Sequence, residues 1–167
     1  EVKFFSPNAF LDLTLFLTQP PTFEGLEPPA QRRVNVRFGA EVRLVGYDLE
    51  APLTPESALP ITLYWQVAHK PEVHYKYILQ LVEQQADGSR RVVSQMEQEP
   101  YNGAIPTIWW DPGKTIVEYT NLPPLPSPLA NTEPEHYQLA LQLYNADSLE
   151  KVTIQEDDQQ PVSEDGY

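Results

Sequence analysis

The chain has 167 residues and no cysteine, and its 24 acidic side chains against 11 basic ones give a formal net charge of −13. That length suits one domain whose core needs no metal or disulfide, and the missing cysteines exclude thiolate nucleophiles, cysteine zinc sites and disulfide staples. The negative charge repels phosphate backbones and anionic lipid, and the paired bases Arg32-Arg33 and Arg90-Arg91 are too small for a nucleic-acid footprint.

The 18 prolines are about twice the ordinary frequency. Each removes a backbone donor and clashes with a preceding helical turn, so long helices are disfavoured. The first strand is read at 9–17, where Leu11, Leu13, Leu15 and Leu17 alternate with Phe10, Asp12, Thr14 and Phe16, with a short helix as the alternative for so leucine-rich a stretch. It is the longest nearly apolar stretch, and it is about half the ~20 residues of a membrane-spanning helix. Direct membrane insertion of this sequence is therefore not expected. The chain begins at Glu1 rather than methionine and reads as a fragment or processed product, which leaves targeting open.

A proline-rich connection over 18–31 follows, and then cleaner alternation. Val34, Val36 and Phe38 alternate up to Gly39-Ala40, and 42–49 continues in the same manner, as a strand pair or as one bent strand turning at that glycine. In 61–68, Ile61, Leu63, Trp65 and Val67 alternate with Thr62, Tyr64, Gln66 and Ala68, which puts an indole in the middle of a sandwich. Tyr77, Leu79 and Leu81 form the inward face of 75–83, and Asp87-Gly88 turns the chain into a returning strand over 91–96.

The stretch 100–112 is irregular and aromatic, closing on the turn Asp111-Pro112-Gly113. A strand over 115–120 precedes a connector, 121–134, that holds five prolines. The last good strand, 136–144, turns Tyr137, Leu139, Leu141 and Leu143 inward, and 151–154 closes the pattern. This set of elements predicts an all-β, immunoglobulin-like antiparallel sandwich of about 7 to 9 strands. Trp65, Leu63, Leu79, Leu139 and Leu141 are its expected core. The expected organisation is an N-terminal strand and proline-rich extension over 1–33, the sandwich over 34–154, and an acidic polar tail or linker over 155–167, too poor in apolar residues to offset ordering entropy.

The segments LVGYDLE (44–50) and LPITLYWQ (59–66), the turn Trp110-Asp111-Pro112-Gly113 leading into Val117 and Tyr119, and the strand from Tyr137 to Tyr144 resemble a β-sandwich domain of bacterial multi-pass membrane proteins. That domain lies in their extracytoplasmic parts, and many of the parent proteins are dolichyl-phosphate-mannose-type glycosyltransferases. The resemblance covers 34–154. It implies an accessory domain at the cell surface or outside the cytoplasm, tethered through its parent, with transferase chemistry residing in the membrane part. The first thirty or so residues, the doubled Trp109-Trp110 and the proline-dense connector depart from the family pattern.

No Gly-x-Ser-x-Gly elbow, His-Glu-x-x-His helix or glycine-rich phosphate loop occurs. His69 and His74 are spaced to meet around a metal but lack a third ligand at a sensible spacing. The carboxylate pairs Glu97/Glu99 and Asp111/Glu118 have the residue types of glycoside hydrolysis, although 24 acidic residues produce such pairs by chance. Asp87, Asp111, Asp147 and Glu150 are loop donors of the kind a structural calcium ion takes, without the twelve-residue calcium loop, so no cofactor is assigned. The candidate carbohydrate platform is Trp109, Trp110, Tyr101 and Asn102, because an exposed indole packs on a sugar ring while polar neighbours meet its hydroxyls. The competing reading makes both tryptophans packing residues. The reading for the chain is therefore a non-catalytic structural or interaction domain whose partner is the rest of its parent polypeptide or another protein, with oligosaccharide binding as the alternative.

Overall fold

The computed structural model describes residues 22–23, 28–125 and 136–156. Nine strands are found in them: β1 (Thr22–Phe23), β2 (Arg32–Phe38), β3 (Val42–Leu49), β4 (Leu59–Val67), β5 (Tyr75–Gln84), β6 (Arg90–Gln98), β7 (Thr115–Leu122), β8 (Tyr137–Asn145) and β9 (Ile154–Glu156). One antiparallel sheet runs β1-β7-β4-β3-β2-β9 and the other β6-β5-β8. The connections β4 to β5, β6 to β7, β7 to β8 and β8 to β9 each pass from one sheet to the other, which is the Greek-key wiring of an immunoglobulin-like sandwich. The strand read at 9–17 lies outside the described residues, as do 126–135 of the proline-dense connector.

The core forms where the inward faces of the two sheets meet. Phe38, Val42, Leu44, Ile61, Leu63, Trp65 and Val67 face Tyr77, Leu79, Leu81 and Leu143, with Ile116 and Leu122 completing the larger sheet. Trp65 is the hub. Its ring centroid lies 6.2 Å from Phe38, 5.9 Å from Tyr77 and 6.2 Å from Trp110, all tilted, as aromatic quadrupoles prefer. Leu139 and Leu141 pack against this core but are only partly buried, because β8 is an edge strand of the three-stranded sheet.

Strand β4 departs from simple alternation. Thr62 and Tyr64, on the face opposite Trp65, are buried as well. The segment 28–31 passes over the outer side of the sheet on its way into β2. Pro28 is buried there, the Gln31 backbone N–H donates to Asp48 Oδ1, and Tyr64 donates to Asp48 Oδ2 at 2.7 Å. Gly46 permits this passage. A Cβ at that position would meet the Ala30 Cβ at 2.4 Å and the Arg32 carbonyl at 3.0 Å. Gln155 and Glu156, assigned to the acidic tail from composition, form part of β9, because their backbone pairs with β2.

Candidate functional site

Between β6 and β7 the chain makes two short 3₁₀ turns, Pro100–Gly103 and Thr107–Trp109. Tyr101 and Asn102 take left-handed φ values of 54° and 55°, a conformation in which a side chain costs roughly 1–2 kcal/mol per residue. The turn is held by what Tyr101 binds. Its N–H donates to Glu118 Oε1 at 3.0 Å, and its hydroxyl donates to the Val117 carbonyl.

Further along, Thr107 is buried and ties the loop to the start of β5. Its hydroxyl donates to the Val73 carbonyl at 3.0 Å and accepts the Tyr75 N–H at 3.0 Å. Trp109 ends the second turn and Trp110 is extended, so the adjacent indoles diverge. Trp110 goes inward to 1% exposure against Trp65, with its Nε1–H directed at the Ile105 carbonyl 3.4 Å away. Trp109 is 51% exposed. The structure therefore separates the four platform residues: Trp110 belongs to the core, Tyr101 serves the turn, and Trp109 and Asn102 remain exposed. Asn102 and Gly103 line an open cleft of about 240 Å³ with Lys76, Glu97, Gln98 and Glu99, and Trp109 is not among its lining residues.

The acids divide in the same way. Glu118 is fully buried in the sandwich, and four donors converge on it: Trp65 Nε1 at 2.9 Å on Oε2, and Tyr77 Oη at 2.8 Å, the Tyr101 N–H at 3.0 Å and Gln98 Nε2 at 3.2 Å on Oε1. Burial pushes its carboxyl above the usual carboxylate range, although the four hydrogen bonds pull the other way. Its sequence partner Asp111 stands exposed on the turn beside Lys114, 3.6 Å away. The two carboxylates thus do not share a cleft. Glu97 accepts the Tyr144 hydroxyl, and Glu99 lies 4.0 Å from His74 Nδ1.

Two more acids withdrawn from water are engaged in structure. Glu83 is fully buried and takes both Nε and Nη2 of Arg91, at 3.0 and 2.7 Å, while Asp48 holds Tyr64 and the crossing segment. The candidate calcium donors all lie on turns. Asp87 accepts the Ser89 N–H at 2.8 Å, and this interaction with Ser89 holds its carboxyl below the usual range. Asp147 donates its own N–H to Asn145 Oδ1 at 2.8 Å, and Glu150 lies 3.5 Å from the Ser148 hydroxyl. His69 contacts Glu41 at 3.3 Å. No group of three metal-ligating side chains occurs among the described residues.

Glu118, read from the sequence only as half of a carboxylate pair, and Glu83, which no motif singles out, are the organising residues. Their parity carried the signal. Glu118 shares a face with Ile116 and Leu122, and Glu83 with Tyr77, Leu79 and Leu81, so both had to point inward. Among the described residues no helix is long and apolar enough to cross a membrane. No family model, curated protein or solved structure matches the chain.

Proposed function

We propose that the chain is a non-catalytic accessory domain of a larger, membrane-associated protein, facing outward from the cell and acting by contact through the loop between β6 and β7. The supporting observation is Trp109: half exposed, it follows a loop anchored on Glu118, Val73 and Tyr75 and precedes the sealed Trp110. A rigid aromatic loses little entropy on binding, which is what a contact residue requires. The most deeply buried acids support a structural reading, because their oxygens hold the core together instead of facing a substrate cleft. In this reading 1–33 is an extension of the sandwich of 34–154, and the resemblance to extracytoplasmic glycosyltransferase-associated sandwiches supplies the cellular setting.

The exposed indole also favours a second reading, a carbohydrate-binding module with Trp109 as its stacking platform. Trp65 and Trp110 are buried and Trp109 is not, so tryptophan fluorescence reports on this loop. A titration of the chain against soluble cell-surface oligosaccharides, with Trp109→Ala beside it, separates the two. Saturable quenching lost in a folded Trp109→Ala variant establishes carbohydrate recognition. A flat response to millimolar sugar, with association to the remainder of the parent polypeptide weakened by Trp109→Ala, supports the accessory role. Turnover of a glycosidic substrate by the chain, abolished by Glu97→Gln or Glu99→Gln, overturns the non-catalytic assignment.

A further inference from the structure

The three-stranded sheet ends on β8 at one side and on β6 at the other. The edge of β8 is engaged where the chain folds back on it. There the Val152 N–H donates to the Leu143 carbonyl at 2.9 Å, the Asn145 N–H donates to the Glu150 carbonyl at 2.9 Å, and Lys151 bridges to Tyr144. Strand β6 has no backbone partner besides β5 among the described residues. Arg90, Arg91, Val92, Gln95 and Glu97 are exposed along it, and Val92, at 48%, is one of the few large apolar side chains left in water. A bare edge is a template for another strand.

Charge along β6 runs from basic to acidic, with Arg90 and Arg91 at its start and Glu97 near its end. A strand so polarised is complementary to a second copy of itself running antiparallel. Parity is the harder condition, because residues opposite each other must share a face. Arg90 and Glu97 are an odd number of positions apart, so in an uninterrupted strand they would lie on opposite faces. The register of β6 against β5 breaks between Val92, opposite Val82, and Ser94, opposite Leu81, which leaves Val93 as an extra residue. That bulge resets the parity. Arg90 opposite Gln84, Val92 opposite Val82, Gln95 opposite Gln80 and Glu97 opposite Ile78 all take the outer face, away from the buried Tyr77, Leu79, Leu81 and Glu83.

We propose that β6 pairs antiparallel with β6 of a second copy of this chain, about a twofold axis between Val93 and Ser94, so that the two three-stranded sheets join into one. In this register Arg90 faces Glu97 of the second copy on each side of the axis, and Val92 faces Gln95. Glu97 keeps Oε2 for the pair, since the Tyr144 hydroxyl is on Oε1. Arg91, held by Glu83 on the inner face, falls opposite Met96. The outer-face residues and the inner-face residues thus each map onto their own set. Charge complementarity identifies the occupant. On a chain of net charge −13 most surfaces repel a second copy, whereas β6 carries two bases and one acid. Main-chain bonds supply the affinity, and the Arg90–Glu97 pairs fix the register.

The test is sedimentation equilibrium of the full chain from micromolar to millimolar concentration. The wild type associates reversibly to a dimer. Arg90→Glu alone and Glu97→Arg alone each set like charges opposite one another and weaken association roughly tenfold, with folding of each variant checked by circular dichroism. Mixing the two variants restores the dimer, because each supplies the charge that the other lacks, and the double variant Arg90→Glu/Glu97→Arg restores it on its own. A wild type that stays monomeric to millimolar concentration overturns the proposal. A dimer indifferent to both single substitutions, or a mixture that fails to recover, also overturns it, since the contact then lies elsewhere on the molecule.

Discussion

Replacing Glu118 with alanine strands four donors, the indole N–H of Trp65, the Tyr77 hydroxyl, the Gln98 amide and the Tyr101 N–H, inside the core. A loss of roughly 3–5 kcal/mol in urea unfolding is expected. Glu118→Gln is milder, about 1–3 kcal/mol, because its carbonyl can keep the three donors on Oε1 while its NH₂ faces Trp65. The pH dependence has a definite sign. Burial holds the folded-state value above the ordinary 4.5, so the folded chain binds this proton more tightly than the unfolded one. That contribution is whole below the ordinary value and drains away as pH rises through the raised one. The stability advantage of the wild type over the non-titrating Glu118→Gln therefore shrinks as pH climbs from the ordinary value, which urea midpoints across a pH series will show; an advantage that grows means the donors outweigh burial. The neighbouring tryptophans give a second test. Trp110→Ala costs about 3–5 kcal/mol, whereas Trp109→Ala stays within about 0.5 kcal/mol, measured in the same assay. Trp65 was legible in the sequence because three apolar residues, Ile61, Leu63 and Val67, share its alternating face. The roles of Trp109 and Trp110 were not, because adjacent residues on a loop diverge in directions that only tertiary anchors at Val73, Tyr75 and Glu118 decide.

At the level of elements, β4, β5 and the β5-β6 hairpin follow from alternation and a turn pair, since a strand with one buried face writes its period into the sequence. The cover over the outer side of β3 and β4 does not. Pro28, Ala30 and Gln31 carry no period, and their position depends on Gly46 and Asp48, which lie well beyond them in the chain. β1 is two residues long and pairs with β7 across most of the sequence, a contact no local pattern can announce. Gly46→Ala tests this cover. Its new methyl meets Ala30, so about 1–3 kcal/mol should be lost, and the Gln31 amide, released from Asp48, should lose its protection from hydrogen exchange while the β5-β6 hairpin keeps its own. Protection at Gln31 that survives the substitution shows that the crossing can shift without letting go.

For the molecule as a whole, the net charge of −13 sets a baseline of self-repulsion. Raising salt from about 0.01 to 0.15 M shortens the screening length from about 30 to 8 Å and should raise the melting temperature, by about 2–4 °C for each kcal/mol gained. Calorimetry across that range checks it; a falling midpoint means that attractive pairs such as Arg91 with Glu83 dominate. Fold class was legible because it is written in many strands at once, whereas function on a sandwich is carried by a few loop residues that the scaffold does not specify. The six-stranded sheet has β1 at one edge and β9 at the other, about 24 Å apart at ordinary strand spacing. Tension arriving through the residues before β1 and after β9 is thus drawn across the strands, and it parts each short ladder pair by pair like a zipper, where a pull along the strands would load every bond together. Under stretch the domain yields first at its rims, giving up a few residues of slack at each end while the Trp65 core stays shut.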